Sequence, residues 1–113
     1  MNHIELPAQR QLEAYNAKDL QAFIVNFHDD IEMILLPSGT VRLSGKQAVA
    51  DFYASQRFNK PELHAELLQR IVCGSKVIDH ERIVGINDEP IIMVVIWEVE
   101  DGVIRRAYTF EKP

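Results

Sequence analysis

Apolar positions recur at helical spacing over the first part of the chain and at strand spacing over the second half, with a mixed stretch between them. Ala8, Leu12 and Tyr15 mark one helical face. After Asn16, the positions Leu20, Phe23, Ile24 and Phe27 mark a second face, with Asp19 placed to cap its start and His28 to cap its end. Ile31 to Leu36 is a short apolar run closed by the turn residues Pro37, Ser38 and Gly39, which predicts a strand, and Thr40 to Leu43 predicts another. Ser44 and Gln47 have the spacing of a capping box ahead of the stripe Ala48, Val49, Phe52 and Tyr53, so a third helix is expected to end before Pro61.

From Glu62 onward, turn signals at Gly74-Ser75, Asn87 to Pro90 and Asp101-Gly102 have the spacing of a four-stranded antiparallel meander. Asp101-Gly102 is the most specific of them, because a type I′ hairpin needs positive φ at both central residues. Ile91 to Trp97 is apolar at both parities, so both faces of that strand need cover, and the helices suffice for one. The pattern predicts an α+β fold, helices on one side of a curved antiparallel sheet, with an apolar outer face that calls for a partner.

The length of 113 residues suits a single domain over residues 1–113, and 47% hydrophobic with 26% charged residues is an ordinary globular composition. A net charge of -5, with no basic run longer than Arg105-Arg106, leaves no electrostatic footprint for nucleic acid or an anionic membrane surface. The run Ile91 to Trp97 falls far short of the roughly 20 residues that span a bilayer, and Met1 to Pro7 has no secretory signal pattern. A lone cysteine, Cys73, fits a reducing compartment, so a cytoplasmic location is expected.

The strings N-A-K-D-L at 16–20, D-D at 29–30, S-G-K-Q-A at 44–48, F-Y at 52–53, D-H-E at 79–81 and D-G at 101–102, taken in this order, resemble the nuclear transport factor 2-like superfamily. The resemblance is to its SnoaL-like, ketosteroid isomerase-like branch, in an uncharacterised bacterial subgroup, and covers essentially the whole chain. It implies a cone in which the sheet wraps the helices around a mostly apolar pocket, with a homodimer through the convex sheet face. The catalytic set of ketosteroid isomerase, an Asp base with a Tyr and a protonated Asp as oxyanion donors, does not carry over. Its tyrosine falls on Gln11, its base near Leu35 and its protonated Asp near Val95.

With Trp97 pointing into the cone, strand alternation and hairpin pairing put Leu63, Ala65, Leu67, Gln69, Asp79, Glu81, Ile83, Met93, Val95, Arg106, Tyr108 and Phe110 on the inner face. Asp79 and Glu81, two carboxylates on one strand face, should repel and raise at least one pKa, the condition for a base near neutral pH. Glu81 is the candidate base, Asp79 its coupled partner, Arg106 the electrostatic support and Tyr108 the oxyanion donor. The competing reading is a buried salt-bridge network of Asp79, Glu81 and Arg106 that holds the sheet in register. Tyr15, Leu35, Phe52, Tyr53, Leu67, Ile83, Val95, Trp97 and Phe110 are expected to form the ligand-binding wall. His80 and His64 alternate toward the convex face.

No spacing of His, Cys or carboxylates suggests a metal, and no nucleophile elbow or Gly-rich phosphate cradle is present, so no cofactor is expected. Two functions remain. One is a small-molecule pocket with proton-transfer chemistry of isomerase, cyclase, dehydratase or epoxide hydrolase type. The other is a non-catalytic ligand-binding or scaffold homodimer.

Overall fold

The computed structural model describes residues 2–111. Three helices, α1 (Leu6–Ala17), α2 (Leu20–Ile24) and α3 (Lys46–Gln56), accompany six strands: β1 (Phe27–Leu36), β2 (Thr40–Ser44), β3 (His64–Cys73), β4 (Lys76–Val84), β5 (Ile91–Glu100) and β6 (Val103–Phe110). The strands form one curved, unclosed sheet in the order β2-β1-β6-β5-β4-β3. The meander β3 to β6 is antiparallel, and β1 joins it by pairing parallel to β6, which makes the sheet mixed.

The first two helices end on identifiable devices. Lys18 adopts a left-handed conformation at φ 56 and closes α1, and the Asp19 carboxylate accepts the Ala22 N–H at 3.1 Å to start α2. The Asn26 amide then donates to the Ala22 and Phe23 carbonyls at 2.8 and 3.2 Å, satisfying the end of α2. The helix therefore stops before Phe27, which opens β1 instead of completing a helical face. His28 lies in that strand and its Nδ1 accepts the Asp30 N–H, so it does not cap the helix. The expected Ser44 and Gln47 capping box is not formed either: Gly45, at φ 92, precedes α3 without a side-chain cap, and Gln47 donates to Asp51.

The core lies between the helices and the inner sheet face. Phe23 stands at its centre, with ring centroids of Tyr53, Phe27 and Phe58 at 4.8, 4.9 and 5.2 Å. Asn16 ties the end of α1 to β3 as a strand would, its amide donating to the Ala65 carbonyl and its oxygen accepting the Ala65 N–H, at 2.9 and 2.8 Å. No described helix is long and apolar enough to cross a membrane.

Three bulges determine which side chains enter the cone. The Asp101-Gly102 hairpin, with φ 53 and 79, starts the register with Glu100 opposite Val103. Counting back without interruption would bring Arg106 opposite Trp97, but one extra residue, Arg105, brings Ala107 there instead. In β3 the extra residue is Leu68, so Leu67 pairs with Glu81 while Arg70 pairs with Asp79. In β2 it is Arg42, between Val41 opposite Ile34 and Leu43 opposite Met33. Since side chains alternate with a period of two, each extra residue flips the remainder of its strand.

Gly85, at φ 90, follows β4 where the chain passes against the backbone of Glu62 and Leu63, and a Cβ there would collide with that backbone. Gly74, at φ 60, has open space around it. Urea denaturation is expected to show a loss of about 2 to 4 kcal/mol for Gly85→Ala, against about 1 kcal/mol for Gly74→Ala.

Candidate functional site

A cavity of about 670 Å³ opens between α1, α3 and the inner sheet face. Tyr15 of α1 and Phe52 and Tyr53 of α3 line one side, while Leu35, Ile83, Val95 and Trp97 line the sheet side. Phe110 sits at the mouth, 52% exposed. Leu67 does not line the cavity; it packs against the core on the strand beside Glu81. Gln11, Leu35 and Val95 all lie on the wall.

The two candidate carboxylates have different surroundings. Asp79 is fully buried, and Arg70 grips it with Nε to Oδ1 at 2.7 Å and Nη2 to Oδ2 at 3.0 Å, while the Trp97 indole N–H donates to Oδ2 at 3.1 Å. The remaining fork of Arg70 donates to Gln9 Oε1 at 2.8 Å, and Glu5 Oε2 lies 4.0 Å from Nη1, which anchors α1 to the sheet. Glu81 is 5% exposed, lines the cavity, and makes no hydrogen bond or ion pair among the described residues. Burial first, then the neighbouring Asp79 charge, pushes its carboxyl from 4.5 up to about 7, with Arg70 pulling the other way. The pair is asymmetric, because the guanidinium makes hydrogen bonds to Asp79 and none to Glu81.

That guanidinium is Arg70, not Arg106. The extra residue in β6 turns Arg106 to the outer face, where it donates to Glu98 at 2.8 Å and approaches Glu32 at 3.6 Å. Tyr108 turns outward with it, opposite Ile96, and has no place in the cavity; Ala107 and Thr109 line the wall instead. In β3, the register of the Gly74 hairpin puts Gln69 opposite His80 on the outer side and Arg70 opposite Asp79 on the inner, and the extra residue at Leu68 then brings Leu67 opposite Glu81. His80 lies beside Gln69, Ile71, Ile78 and Val94 at a shallow outer depression, and His64 is exposed on β3.

Two phenols face the cavity. Tyr15 has no hydrogen-bond partner among the described residues, and the Tyr53 hydroxyl approaches Met33 Sδ at 3.9 Å, a weak contact. Burial raises both well above the usual tyrosine value, so each keeps its proton and remains a donor at neutral pH. Sequence reasoning missed Arg42, Arg57 and Arg70. Arg70 was reachable, since counting back from Gly74-Ser75 places it opposite Asp79. No group of three or more His, Cys, Asp or Glu among the described residues could hold a metal ion.

The family model of the SnoaL-like domain matches residues 8–107, and the chain belongs to this family. No curated protein matches it. Among solved structures, it is similar to an uncharacterized cystatin fold protein from Novosphingobium aromaticivorans, at 24% identity and a TM-score of 0.84 over 98% of this chain and 99% of that one. It is similar also to the Delta 5-3-ketosteroid isomerase from Mycobacterium sp., at 16% identity and 0.84 over 99% and 95%. A computationally designed 17-OHP binder superimposes at 14% identity and 0.85 over 100% and 94%. At these identities the likeness concerns the fold.

The raised Glu81 carboxyl makes stability depend on pH with a definite sign. Between 4.5 and about 7 the folded protein keeps a proton that the unfolded chain releases, so this contribution is full below 4.5 and is lost as pH rises through 7. The shift corresponds to about 3 kcal/mol. Glu81→Gln abolishes it, so urea denaturation is expected to show the variant gaining about 3 kcal/mol relative to the parent between pH 4.5 and pH 8. A stability difference that stays constant over this range would show that Glu81 titrates as an ordinary carboxyl.

Proposed function

We propose that this SnoaL-like protein binds a mostly apolar small molecule with one polar end and that Glu81 exchanges a proton with it. The observation that carries the reading is a nearly buried, unpartnered carboxyl on the wall of an apolar cavity of about 670 Å³. That volume suits a ligand of drug-like size. A carboxyl near pH 7 is divided between acid and base at neutral pH, which favours proton transfer in either direction. On an enolisable carbonyl compound, Glu81 removes the α-proton, the C–H pair becomes the carbon–carbon π bond, and negative charge grows on the carbonyl oxygen. Tyr15 or Tyr53 then donates to that oxygen. Asp79 stays bound to Arg70 and Trp97, and acts on Glu81 through its charge without touching the ligand.

The ketosteroid isomerase and 17-OHP binder neighbours support a ligand in the cone at the level of fold alone. The single exposed cysteine, Cys73, fits cytoplasmic work. The alternative, a pocket that binds without catalysis, is separated by one experiment. With 2-tetralone as probe, thermal shift reports binding and NMR in D₂O reports α-proton exchange. The proposal expects a rise in melting temperature with the parent protein, and exchange slowed by about 10² to 10⁴ in Glu81→Gln while binding persists. Binding with equal exchange in both proteins leaves the non-catalytic reading; no binding of 2-tetralone or of other hydrophobic carbonyl, epoxide or acid probes removes the ligand reading.

We propose also that the convex sheet face joins two copies. Leu68, Ile71 and Ile92 are 45%, 52% and 57% exposed there, around the shallow depression formed by Ile78 and Val94. Val72, opposite the buried Val77, packs against the core, and Ile71, opposite Ile78, lies outside. Sedimentation velocity at micromolar concentration should show a dimer that Ile71→Glu converts to monomer; a monomeric parent protein would end this proposal.

A further inference from the structure

Most of the cations near the sheet have carboxylate partners. Arg70 grips Asp79, Lys76 and Arg106 approach Glu98, Arg105 lies near Glu32 and Glu100, and Lys46 lies near Asp29. Two guanidiniums on the cavity wall are different: Arg42 and Arg57 have no carboxylate within ion-pair distance among the described residues, in a chain of net charge -5. Glu111 lines the same cavity, but it accepts the Ser38 N–H at 3.2 Å and makes no ion pair with either.

Both arginines are delivered by local structure. Arg42 is the extra residue of the β2 bulge, and the bulge lets Arg42 and its neighbour Leu43 both reach the wall from a strand whose regular alternation would send one of them away. Arg57 stands one helical turn beyond Tyr53, so the two share a side of α3. Its guanidinium carbon lies 4.9 Å from the centroid of the Phe52 ring, and Nη1 donates to the Gln56 carbonyl at 2.9 Å, which orients the group and leaves most of its donors free. The positive charge of both reaches the Tyr53 phenol, and that of Arg57 reaches Tyr15. The charge of Glu81 reaches both phenols as well, but Glu81 makes no ion pair with either arginine among the described residues.

Resting on the ligand reading above, we infer that the ligand is an amphipathic acid whose apolar body fills the cone and whose carboxylate is held by Arg42 and Arg57. A guanidinium presents a planar fork that matches a carboxylate, and two of them beside an apolar wall favour an anion over a neutral or cationic group of the same shape. Glu81, ionised above pH 7, repels an anion from its own side and so sets the ligand's direction.

The test uses three probes with one ring system: 2-naphthylacetate, its methyl ester and 2-(2-naphthyl)ethylamine, titrated by fluorescence at pH 8. The acid is expected to bind about tenfold or more tightly than the ester, with the amine weakest. In Arg42→Gln/Arg57→Gln, which changes an exposed and a half-buried side chain, the acid should fall to the level of the ester while ester affinity and melting temperature hold. Equal binding of acid and ester by the parent protein, or an acid preference that survives the double substitution, overturns this inference and leaves the pocket reading standing. If none of the three probes binds, both are overturned.

Discussion

A carboxylate with no solvent exposure in the middle of a sheet must be supplied with donors, and Asp79 imposes that requirement on its whole neighbourhood. Two N–H groups of Arg70 and the indole N–H of Trp97 meet it. Arg70 lies opposite Asp79 in the register that the Gly74 hairpin sets, and its remaining fork reaches Gln9 on α1. The buried charge thus links strand register, the orientation of the tryptophan and the seating of the first helix. Removing one partner from such a group usually costs about 3 to 5 kcal/mol, far more than a surface ion pair contributes.

The same arrangement explains the state of Glu81. It shares a strand face with Asp79, but Arg70 forms hydrogen bonds with Asp79 and reaches Glu81 only through its charge, and the rest of its surroundings is mainly aliphatic and aromatic. A carboxyl held near pH 7 is a cost to folding at neutral pH. The two carboxylates therefore differ in their surroundings: Asp79 is held by Arg70 and Trp97, and Glu81 faces the cavity.

Bulges do the remaining work of partition. The extra residue at Arg105 sends Arg106 and Tyr108 outward, where Arg106 joins Glu98 and Glu32 in a ladder that also includes Lys76 and Arg105. Partly exposed pairs of this kind contribute little individually, but they make one part of the outer face polar and leave Leu68, Ile71 and Ile92 as its apolar part. The extra residue at Arg42 lets both a cation and the neighbouring Leu43 reach the cavity wall, where regular alternation would admit one of them.

Local chemistry in the sequence determined the order of elements, the α+β class, the hairpins at Gly74 and Asp101-Gly102, and a cavity wall built on Tyr15, Tyr53, Ile83, Val95 and Trp97, because periodicity and turn residues act over a few neighbours. It also marked Asp79 and Glu81 as facing inward together. The register of the Gly74 hairpin also places Arg70 opposite Asp79, whereas the outward turn of Arg106 and Tyr108 was decided by tertiary structure: a bulge adds one residue without a turn signal of its own, and a single added residue exchanges the two faces of a strand, so Ala107 faces inward. The early end of α2 was decided in the same way, by Asn26 bonding back to Ala22 and Phe23 while Ile104 from a distant strand donates to its carbonyl. Period and turn chemistry are written locally, whereas register and pairing depend on what the other side of the sheet supplies.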